Sequence, residues 1–142
     1  ASIRLFNEDT QTMQVVASYG LSEEFVKNVQ PINTNTTLRA LKGEIVIIND
    51  TDTDERIQFR EEMKKEGIKS MIVTPIMARD QAIGVLRLYS GDRREFPNDL
   101  LMMVEALGHQ GGLAIQNASM YLKLQEDKKN LEQDVWSHRS WF

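Results

Sequence analysis

The sequence predicts an α+β domain built on a mainly antiparallel sheet and closed by a long C-terminal helix. Residues 3–5 and 12–19 alternate apolar and polar residues, and residues 70–77 and 82–90 are two apolar segments joined by a polar turn. Together they indicate two β-hairpins. After Pro97, apolar residues recur at spacings of three and four, which indicates a helix. The 142 residues match the usual size of one domain, so these elements are expected to share one core.

The first hairpin and a short helix occupy the N-terminal part of the chain. Residues 3–5 and 12–19 each alternate between apolar and polar side chains, so we expect two antiparallel strands there. Ser22 is a suitable N-cap for a short helix over residues 25–26, because its hydroxyl can accept a backbone N–H.

Two short helices and one buried strand are predicted in the middle of the chain. Residues 35–37 are expected to cap a helix that ends at Gly43. The four apolar residues 45–48 indicate a buried strand. A charged helix is then expected to end at Gly67 and to present the side chains of Ile57, Phe59 and Met63.

The clearest hairpin joins residues 70–77 to residues 82–90 through a polar turn of four residues. On its second strand, Ala82 and Gly84 fall on one face and Arg87 falls on the other. Glycine inside a strand favours close approach of another backbone, so we expect the C-terminal helix to lie against Gly84.

The C-terminal helix is expected to run from Pro97 to the end of the chain. Its side towards the sheet is predicted from apolar and small residues at spacings of three and four. These residues are Leu100, Val104, Leu107, Gly108, Gly111, Gly112 and Ala114. At 1.5 Å per residue such a helix is roughly 68 Å long, which exceeds the size of the domain, so its second half must project.

The second half of this helix shows heptad spacing. Its seam residues are Ala114, Asn117, Tyr121, Leu124, Lys128, Leu131, Val135, His138 and Phe142. This spacing predicts a parallel two-stranded coiled coil, and a frayed surface helix is the alternative. We expect a body at residues 1–120 and a coiled-coil helix at residues 121–142. Because the chain lacks an initiator Met and ends inside the predicted helix, we interpret it as a fragment with an effector beyond Phe142.

The composition excludes several classes of function. The chain contains no Cys, which excludes disulfides, thiolate metal sites and cysteine nucleophiles. A formal net charge of −4 provides no basic footprint for nucleic acid. No apolar run reaches the roughly 20 residues of a membrane span, so we expect no membrane contact by this chain and a cytoplasmic location.

An ordered series of segments resembles a GAF domain, a small-molecule sensory module, over nearly the whole chain. The segments are residues 1–5, 17–22, 45–50, 66–70, 75–76, 83–90, Phe96 and 114–118. The resemblance implies a profilin-like, mainly antiparallel sheet with helices on both faces. It also implies a ligand pocket under the short helices, and a family helix before Ala1 that is missing here.

The sequence lacks several motifs of ligand-binding family members, and each missing motif excludes a class of ligand. Bilin-binding members and members that reduce methionine sulfoxide need a Cys, and the Asn-Lys-Phe-Asp-Glu signature of cyclic-nucleotide binding is absent. Haem-binding members need an axial His from the domain body, whereas His109 and His138 fall on the terminal helix. The resemblance therefore implies no cofactor.

Two arginines are the leading candidates for ligand contact. If the small residues of the last strand admit the helix, Arg87 points into the pocket, and Arg4 shares that face. Two guanidinium groups favour a carboxylate or phosphate ligand. The alternative is that both are solvated on an open sheet or pair with Glu61 or Glu62.

Further contacts are expected around these arginines, in a pocket between the sheet and the short helices of residues 34–63. Ser70, Thr74 and Tyr89 are predicted to hydrogen-bond the ligand, and the alternative is a purely structural role in the strands. The remaining predicted ligand-binding residues are Leu38, Phe59 and Met63.

An acidic loop and two histidines are the candidates for metal binding or catalysis. Asp50, Asp52, Asp54 and Glu61 match the spacing of a calcium loop, but Glu55 stands where the sharp turn needs glycine. We interpret the loop as polar, with aspartates that cap the following helix, and predict no metal. His109 is expected in the core or an interface, and neither His accompanies a recognisable Ser or Cys nucleophile, so no catalytic residue is predicted.

These observations predict a regulatory sensor domain without catalysis. A small molecule would favour one packing of the sheet against the terminal helix, and the helix would pass that bias to an effector. The resemblance implies a histidine kinase of a two-component system, a diguanylate cyclase or a transcription activator as effector. The expected partners are the ligand and a second copy of the chain, which would form a homodimer through the helix. The alternative is a ligand-free dimerisation module whose pocket its own side chains fill.

Overall fold

The computed structural model describes residues 1–28 and 34–139, with side chains up to residue 136. Within those ranges five strands form one antiparallel sheet in the order β2-β1-β5-β4-β3. The elements are β1 (Ser2–Asn7), β2 (Thr12–Ser18), α1 (Glu23–Asn28), α2 (Asn35–Leu41), β3 (Val46–Ile48), α3 (Arg60–Glu66), β4 (Ser70–Ala78), β5 (Gln81–Ser90) and α4 (Asn98–Arg139). The predicted α+β class with a mainly antiparallel sheet, helices and a long C-terminal helix is confirmed.

The β4–β5 hairpin is confirmed, although its turn is tighter than predicted. Ala78 pairs with Gln81, which leaves only Arg79 and Asp80 in the turn. Their φ angles are +50° and +61°, the left-handed conformations that a two-residue turn of type I′ requires. This turn matches the right-handed twist of the two strands and sets their register.

The edge strand β2 contains an extra residue. Ile3 of β1 pairs with Ala17 and Arg4 pairs with Val15, so Val16 has no partner in the register. This β-bulge interrupts the ladder beside Arg4, and the side chain of Val16 is 53% exposed.

One face of the sheet packs against the three short helices. On this face Arg4 lies opposite Val85, and Val73 lies opposite Arg87. The helix α2 packs on β4 and β5. The core that fills this side consists of Met13, Phe25, Ala40, Val46, Ile48, Ile57, Met63, Ile68, Met71, Val73 and Val85.

The short helices differ in detail from the prediction. Ser22 accepts the backbone N–H of Phe25 at 3.1 Å, as expected of an N-cap. Thr34, one residue before the predicted cap, is the N-cap of α2. Helix α3 begins at Arg60, so Ile57 and Phe59 precede it instead of lying on it, and Gly67 ends it with φ +77°.

The other face of the sheet packs against α4. Val104 is 2% exposed, and a Cβ at Gly108 or Gly112 would overlap the carbonyl oxygen of Pro75 or Met77 in β4. The predicted packing face is therefore confirmed at Val104, Gly108 and Gly112, and it is wrong at Leu107 and Ala114. Leu107 is 54% exposed, and Ala114 and His109 are also exposed.

Two predicted glycine contacts were also wrong. The nearest atoms to a Cβ at Gly84 belong to Arg4 and Leu5 of the neighbouring strand, so Gly84 admits β1 and not the helix. A Cβ at Gly111 would meet nothing within 4 Å. Glycine in β5 therefore permits close strand pairing, whereas glycine in α4 permits close helix packing.

The chain divides into two compact units, Ala1–Gly112 and Leu113–Phe142. The second unit continues α4 without a break to Arg139, and Phe142 of the predicted seam lies outside the described residues. Large apolar side chains of this unit are exposed, namely Leu113, Met120, Tyr121, Leu122, Leu124, Leu131, Val135 and Trp136. Among the described residues, no helix is long and apolar enough to cross a membrane.

Candidate functional site

Two arginines lie buried on the sheet face that carries the short helices. Arg4 is 1% exposed and Arg87 is 2% exposed. The register brings them to this face because Arg4 pairs with Val85, two residues from Arg87 along β5. Ser2, which pairs with Arg87, lies on the same face and is 2% exposed. The solvated alternative for these arginines is therefore excluded.

Arg87 contacts the threonines at the start of α2. Its Nη2 donates a short hydrogen bond to Thr37 Oγ1 and lies 3.5 Å from Thr34 Oγ1. Thr34 Oγ1 also donates to Thr37 Oγ1 at 2.8 Å and accepts the Thr37 backbone N–H at 3.3 Å. The Thr34 hydroxyl that caps α2 and the Thr37 hydroxyl one turn later therefore serve as acceptors for a buried cation.

Five buried polar atoms around the two arginines lack hydrogen-bond partners. Within residues 1–28 and 34–136, the buried atoms without a partner on this face are Ser2 Oγ, Arg4 Nε, Arg4 Nη1, Arg87 Nε and Tyr89 Oη. Over the same residues, neither guanidinium has a carboxylate oxygen within 4.0 Å. The predicted alternative of pairing with Glu61 or Glu62 is therefore wrong.

The electrostatic environment of Arg4 is unfavourable for its charge. Burial and, second, the positive charge of Arg87 lower the pKa of Arg4 to about 10, while Tyr89 acts in the opposite direction. Desolvation and a like charge both disfavour a cation. The two guanidinium groups therefore destabilise each other in a site without a counter-ion among the described residues.

A small cavity lies between Arg87 and the segment that enters α3. Its volume is about 10 Å³, which is roughly the room that one water molecule needs. It is lined by Thr34, Thr36, Arg56, Ile57, Gln58, Phe59, Met63, Met71 and Arg87. A ligand larger than a single small ion must therefore displace part of this lining.

The structure brings together some of the predicted site residues and separates others. Phe59 and Met63 line the cavity beside Arg87. Tyr89 lies on the same face and packs edge-on against Phe25, with ring centroids 5.8 Å apart. Leu38 is 46% exposed and is not among the lining residues.

Ser70 does not reach the candidate site. It precedes Met71, so its side chain lies on the opposite face of β4, and its Oγ donates to the Asp92 carbonyl oxygen at 2.6 Å. The site residues that sequence reasoning missed are Ser2, Thr34, Thr37 and Arg56. The alternation of β1 places Ser2 with Arg4, so that signal could have found Ser2.

The acidic loop forms ion pairs instead of capping α3. Asp52 Oδ2 lies 2.8 Å from Arg93 Nη2 and 3.3 Å from Lys69 Nζ, and Asp54 Oδ2 lies 2.7 Å from Arg56 Nη2. The N-cap of α3 is Phe59, which makes no side-chain cap. Among the described residues, no three His, Asp or Glu side chains are grouped as metal ligands.

Solved structures similar to this chain include sensory domains. The chain is 26% identical to a domain of a protein described as a two-component sensor histidine kinase from Sinorhizobium meliloti 1021, covering 87% of this chain and 83% of that one with a TM-score of 0.73. It is 25% identical to the GAF domain of a phosphoenolpyruvate-protein phosphotransferase from Acinetobacter, covering 86% and 73% with a TM-score of 0.68. The GAF3 domain of Slr1393 from Synechocystis sp. PCC6803, 18% identical with a TM-score of 0.67 over 87% and 85%, shares the fold.

The family comparison agrees with the structural one. A search of curated proteins found no match. The family model for the GAF domain matches residues 1–116, which includes all five described strands and the first part of α4. On the sheet order, the helices on both faces and this match, the chain belongs to the GAF domain family.

Proposed function

We propose that this chain is a non-catalytic sensor that binds a small molecule between the sheet and the short helices, and that it passes the signal through α4. The main support is the group of five buried, unpartnered polar atoms on Ser2, Arg4, Arg87 and Tyr89. Buried polar groups without partners are rare because each costs roughly 1–3 kcal/mol. A ligand that supplied partners would remove that cost.

The proposed route for the signal crosses the sheet at β4. Val73 of β4 lies opposite Arg87, and the next residue, Thr74, has its Oγ1 beside Gly108 of α4. A shift of β4 caused by the ligand would therefore change the surface on which α4 packs. Two packings of α4 with different ligand affinities would make the domain allosteric.

The proposed output is a change in a helix pair. In the unit of residues 113–142, the side chains of Tyr121, Leu124, Leu131 and Val135 follow heptad spacing and are each more than half exposed. A second copy of the chain would cover them as a parallel coiled coil. An effector joined to the helix would then respond to the ligand through the dimer.

Two structural relatives support the class of effector that we propose. A structural relative is described as a two-component sensor histidine kinase, and another belongs to a phosphotransferase. We therefore propose a cytoplasmic signalling effector, with a histidine kinase as the first choice and a diguanylate cyclase or a transcription activator as others.

The second candidate is a ligand-free dimerisation module. The volume of about 10 Å³ beside Arg87 favours it, because side chains already fill nearly all of the space that a ligand would occupy. In that case the helix pairing alone would be the function.

Native mass spectrometry of the chain as purified, with thermal unfolding before and after refolding without small molecules, tests the proposal. We expect a non-covalent small-molecule adduct that refolding removes, together with a fall in Tm. Leu124→Glu should weaken dimerisation and leave the adduct in place, because Leu124 is 66% exposed and lies in the other unit. A dimer with no adduct and no thermal response to any added metabolite would favour the ligand-free module.

A further inference from the structure

We propose that Arg4 and Arg87 form an anion-binding site, so that the ligand presents a carboxylate or a phosphate to both guanidinium groups. This inference rests on the proposed sensory function and specifies its ligand class. Each side chain is at least 98% buried, and their relationship on the sheet is set by backbone pairing. The site is therefore part of the fold and not a surface feature.

The first argument concerns buried charge. Taking a cation out of water is costly unless a counter-charge or hydrogen bonds replace the water. Two cations buried together add mutual repulsion, which is why Arg87 lowers the pKa of Arg4 further. Within the described residues no carboxylate compensates them, so an anion between them would remove both penalties.

The second argument concerns whether the unpartnered atoms donate or accept hydrogen bonds. Arg4 Nε, Arg4 Nη1 and Arg87 Nε only donate hydrogen bonds, so they require an acceptor. The hydroxyls of Ser2 and Tyr89 also lack partners and can donate. A group with several acceptor oxygens and a negative charge matches this set, whereas an uncharged amide or an amine would leave the two guanidinium charges uncompensated.

The third argument concerns the present partners of Arg87. Its Nη2 is bonded to neutral hydroxyl oxygens of Thr37 and Thr34, which are weaker acceptors than a carboxylate or phosphate oxygen. An anion would compete with these threonines for Arg87. Because Thr34 caps α2, anion binding would also release the start of α2, and α2 packs on β4 and β5. The charge of the ligand and movement of α2 are thus linked through the side chain of Arg87.

The test compares charged probes with uncharged analogues. The probes are acetate, succinate and inorganic phosphate, and the analogues are acetamide and succinamide, all at constant ionic strength on the whole chain. The variants are Arg4→Met and Arg87→Met, with Arg39→Met as the matched control, since Arg39 lies on α2 with an exposed side chain. The readouts are Tm and isothermal titration calorimetry. Arg4→Met keeps the test valid if Arg87→Met does not fold, because no described hydrogen bond is made by the Arg4 side chain.

The expected result is a saturable rise in Tm of roughly 4 °C or more with at least one charged probe and none with its amide. Arg39→Met should keep this response, and the other two variants should lose at least about tenfold in affinity. A stronger response to phosphate than to the carboxylates would assign the ligand as a phosphate. Equal responses to acetate and acetamide, or equal responses in all variants, would overturn the anion site. If an uncharged adduct were found by native mass spectrometry, the anion site would fail while the sensor function stood.

Discussion

The backbone of Gly112 in α4 lies directly against the carbonyl oxygen of Met77 in β4. A Cβ at position 112 would overlap that oxygen, and a Cβ at Gly108 would overlap the oxygen of Pro75. One helical turn of α4 therefore rests on strand backbone, at a distance that no larger residue permits. The contact sets how close the helix lies to the strand that also borders the candidate site.

We expect Gly112→Ala to lower the free energy of unfolding by about 1–3 kcal/mol, because the added methyl must push α4 away from β4. Gly111→Ala is the matched control. A Cβ there meets nothing within 4 Å, and alanine is roughly 1 kcal/mol better than glycine inside a helix. Urea denaturation measures both variants. Equal stabilities would contradict the close packing of α4 on Met77.

Arg4→Met is expected to leave the ligand-free protein at least as stable as the parent. Burial and the positive charge of Arg87 both lower the pKa of Arg4, so the environment of its charge is unfavourable. Replacing a buried, uncompensated charge by an apolar side chain of similar length removes that cost. Chemical denaturation of refolded protein checks this. A loss above about 2 kcal/mol would mean that Arg4 is a structural residue.

Thr37→Val is expected to weaken the fold and to strengthen anion binding. Loss of the hydroxyl that accepts Arg87 Nη2 should cost about 1.5–3 kcal/mol, the range for hydrogen bonds to charged groups. The freed guanidinium would then bind acetate or phosphate without competition. Thr36→Val is the control, because the Thr36 hydroxyl contacts Thr34 at 3.3 Å and has no bond to Arg87. Titration calorimetry would refute the competition if both variants bound anions equally.

The ion pairs of Asp52 predict a loss of stability in acid. A hydrogen bond from Arg93, and then Lys69, keeps the pKa of Asp52 below its ordinary value of 3.8. The stabilisation that the Asp52 carboxylate gives to the folded state is therefore complete above the pKa of the unfolded state. It is lost as the pH falls through 3.8 towards the lower pKa of the folded state. Asp52→Asn should be less stable than the parent at pH 7, and the gap should close below pH 4.

The control for this pH dependence is Asp127→Asn. Asp127 is exposed on α4 and makes no ion pair with any described residue. Denaturant unfolding between pH 2.5 and 7 should give a difference in free energy of unfolding between this variant and the parent that does not change with pH. A constant difference for Asp52→Asn as well would remove the stabilising role of the Arg93 pair.

Leu124→Glu is expected to weaken a dimer by at least about tenfold, since it puts a charge into the predicted heptad seam. Leu122→Glu adds the same charge to the same helix outside the seam, at a residue that is 64% exposed. Sedimentation equilibrium of both variants and the parent measures the effect. A monomeric parent, or equal weakening by both substitutions, would exclude pairing along this seam.

Local signals in the sequence predicted most of the fold. Alternation identified β1 and β2, and two apolar runs around a polar turn identified β4 and β5. Gly67 was expected to end α3 and does so in the left-handed conformation. These features depend on neighbouring residues alone. The sequence placed Gly108 and Gly112 on the packing side of α4, but it did not predict that they contact Pro75 and Met77 of β4 instead of Gly84. Close backbone packing is a property of two elements together, so one element's sequence does not reveal it.

The candidate site was predictable only in part. Alternation placed Arg4 and Arg87 on the pocket side, and the register confirms that they share one face. The threonines that bind Arg87 come from a distant segment, and Ser70 was assigned to the pocket although its side chain lies on the other face. Arg87 and Thr37 are 50 residues apart in the sequence, so their contact depends on how α2 packs on the sheet. Local sequence patterns do not specify that packing.

The unpaired Val16 in β2 has a consequence for solubility. An outermost strand with a regular ladder is a template on which another chain can add a strand, the first step towards fibril growth. The extra residue breaks that template in the middle of β2. An incoming strand would find its hydrogen-bonding groups out of step after a few residues, so the fold resists stacking edge to edge.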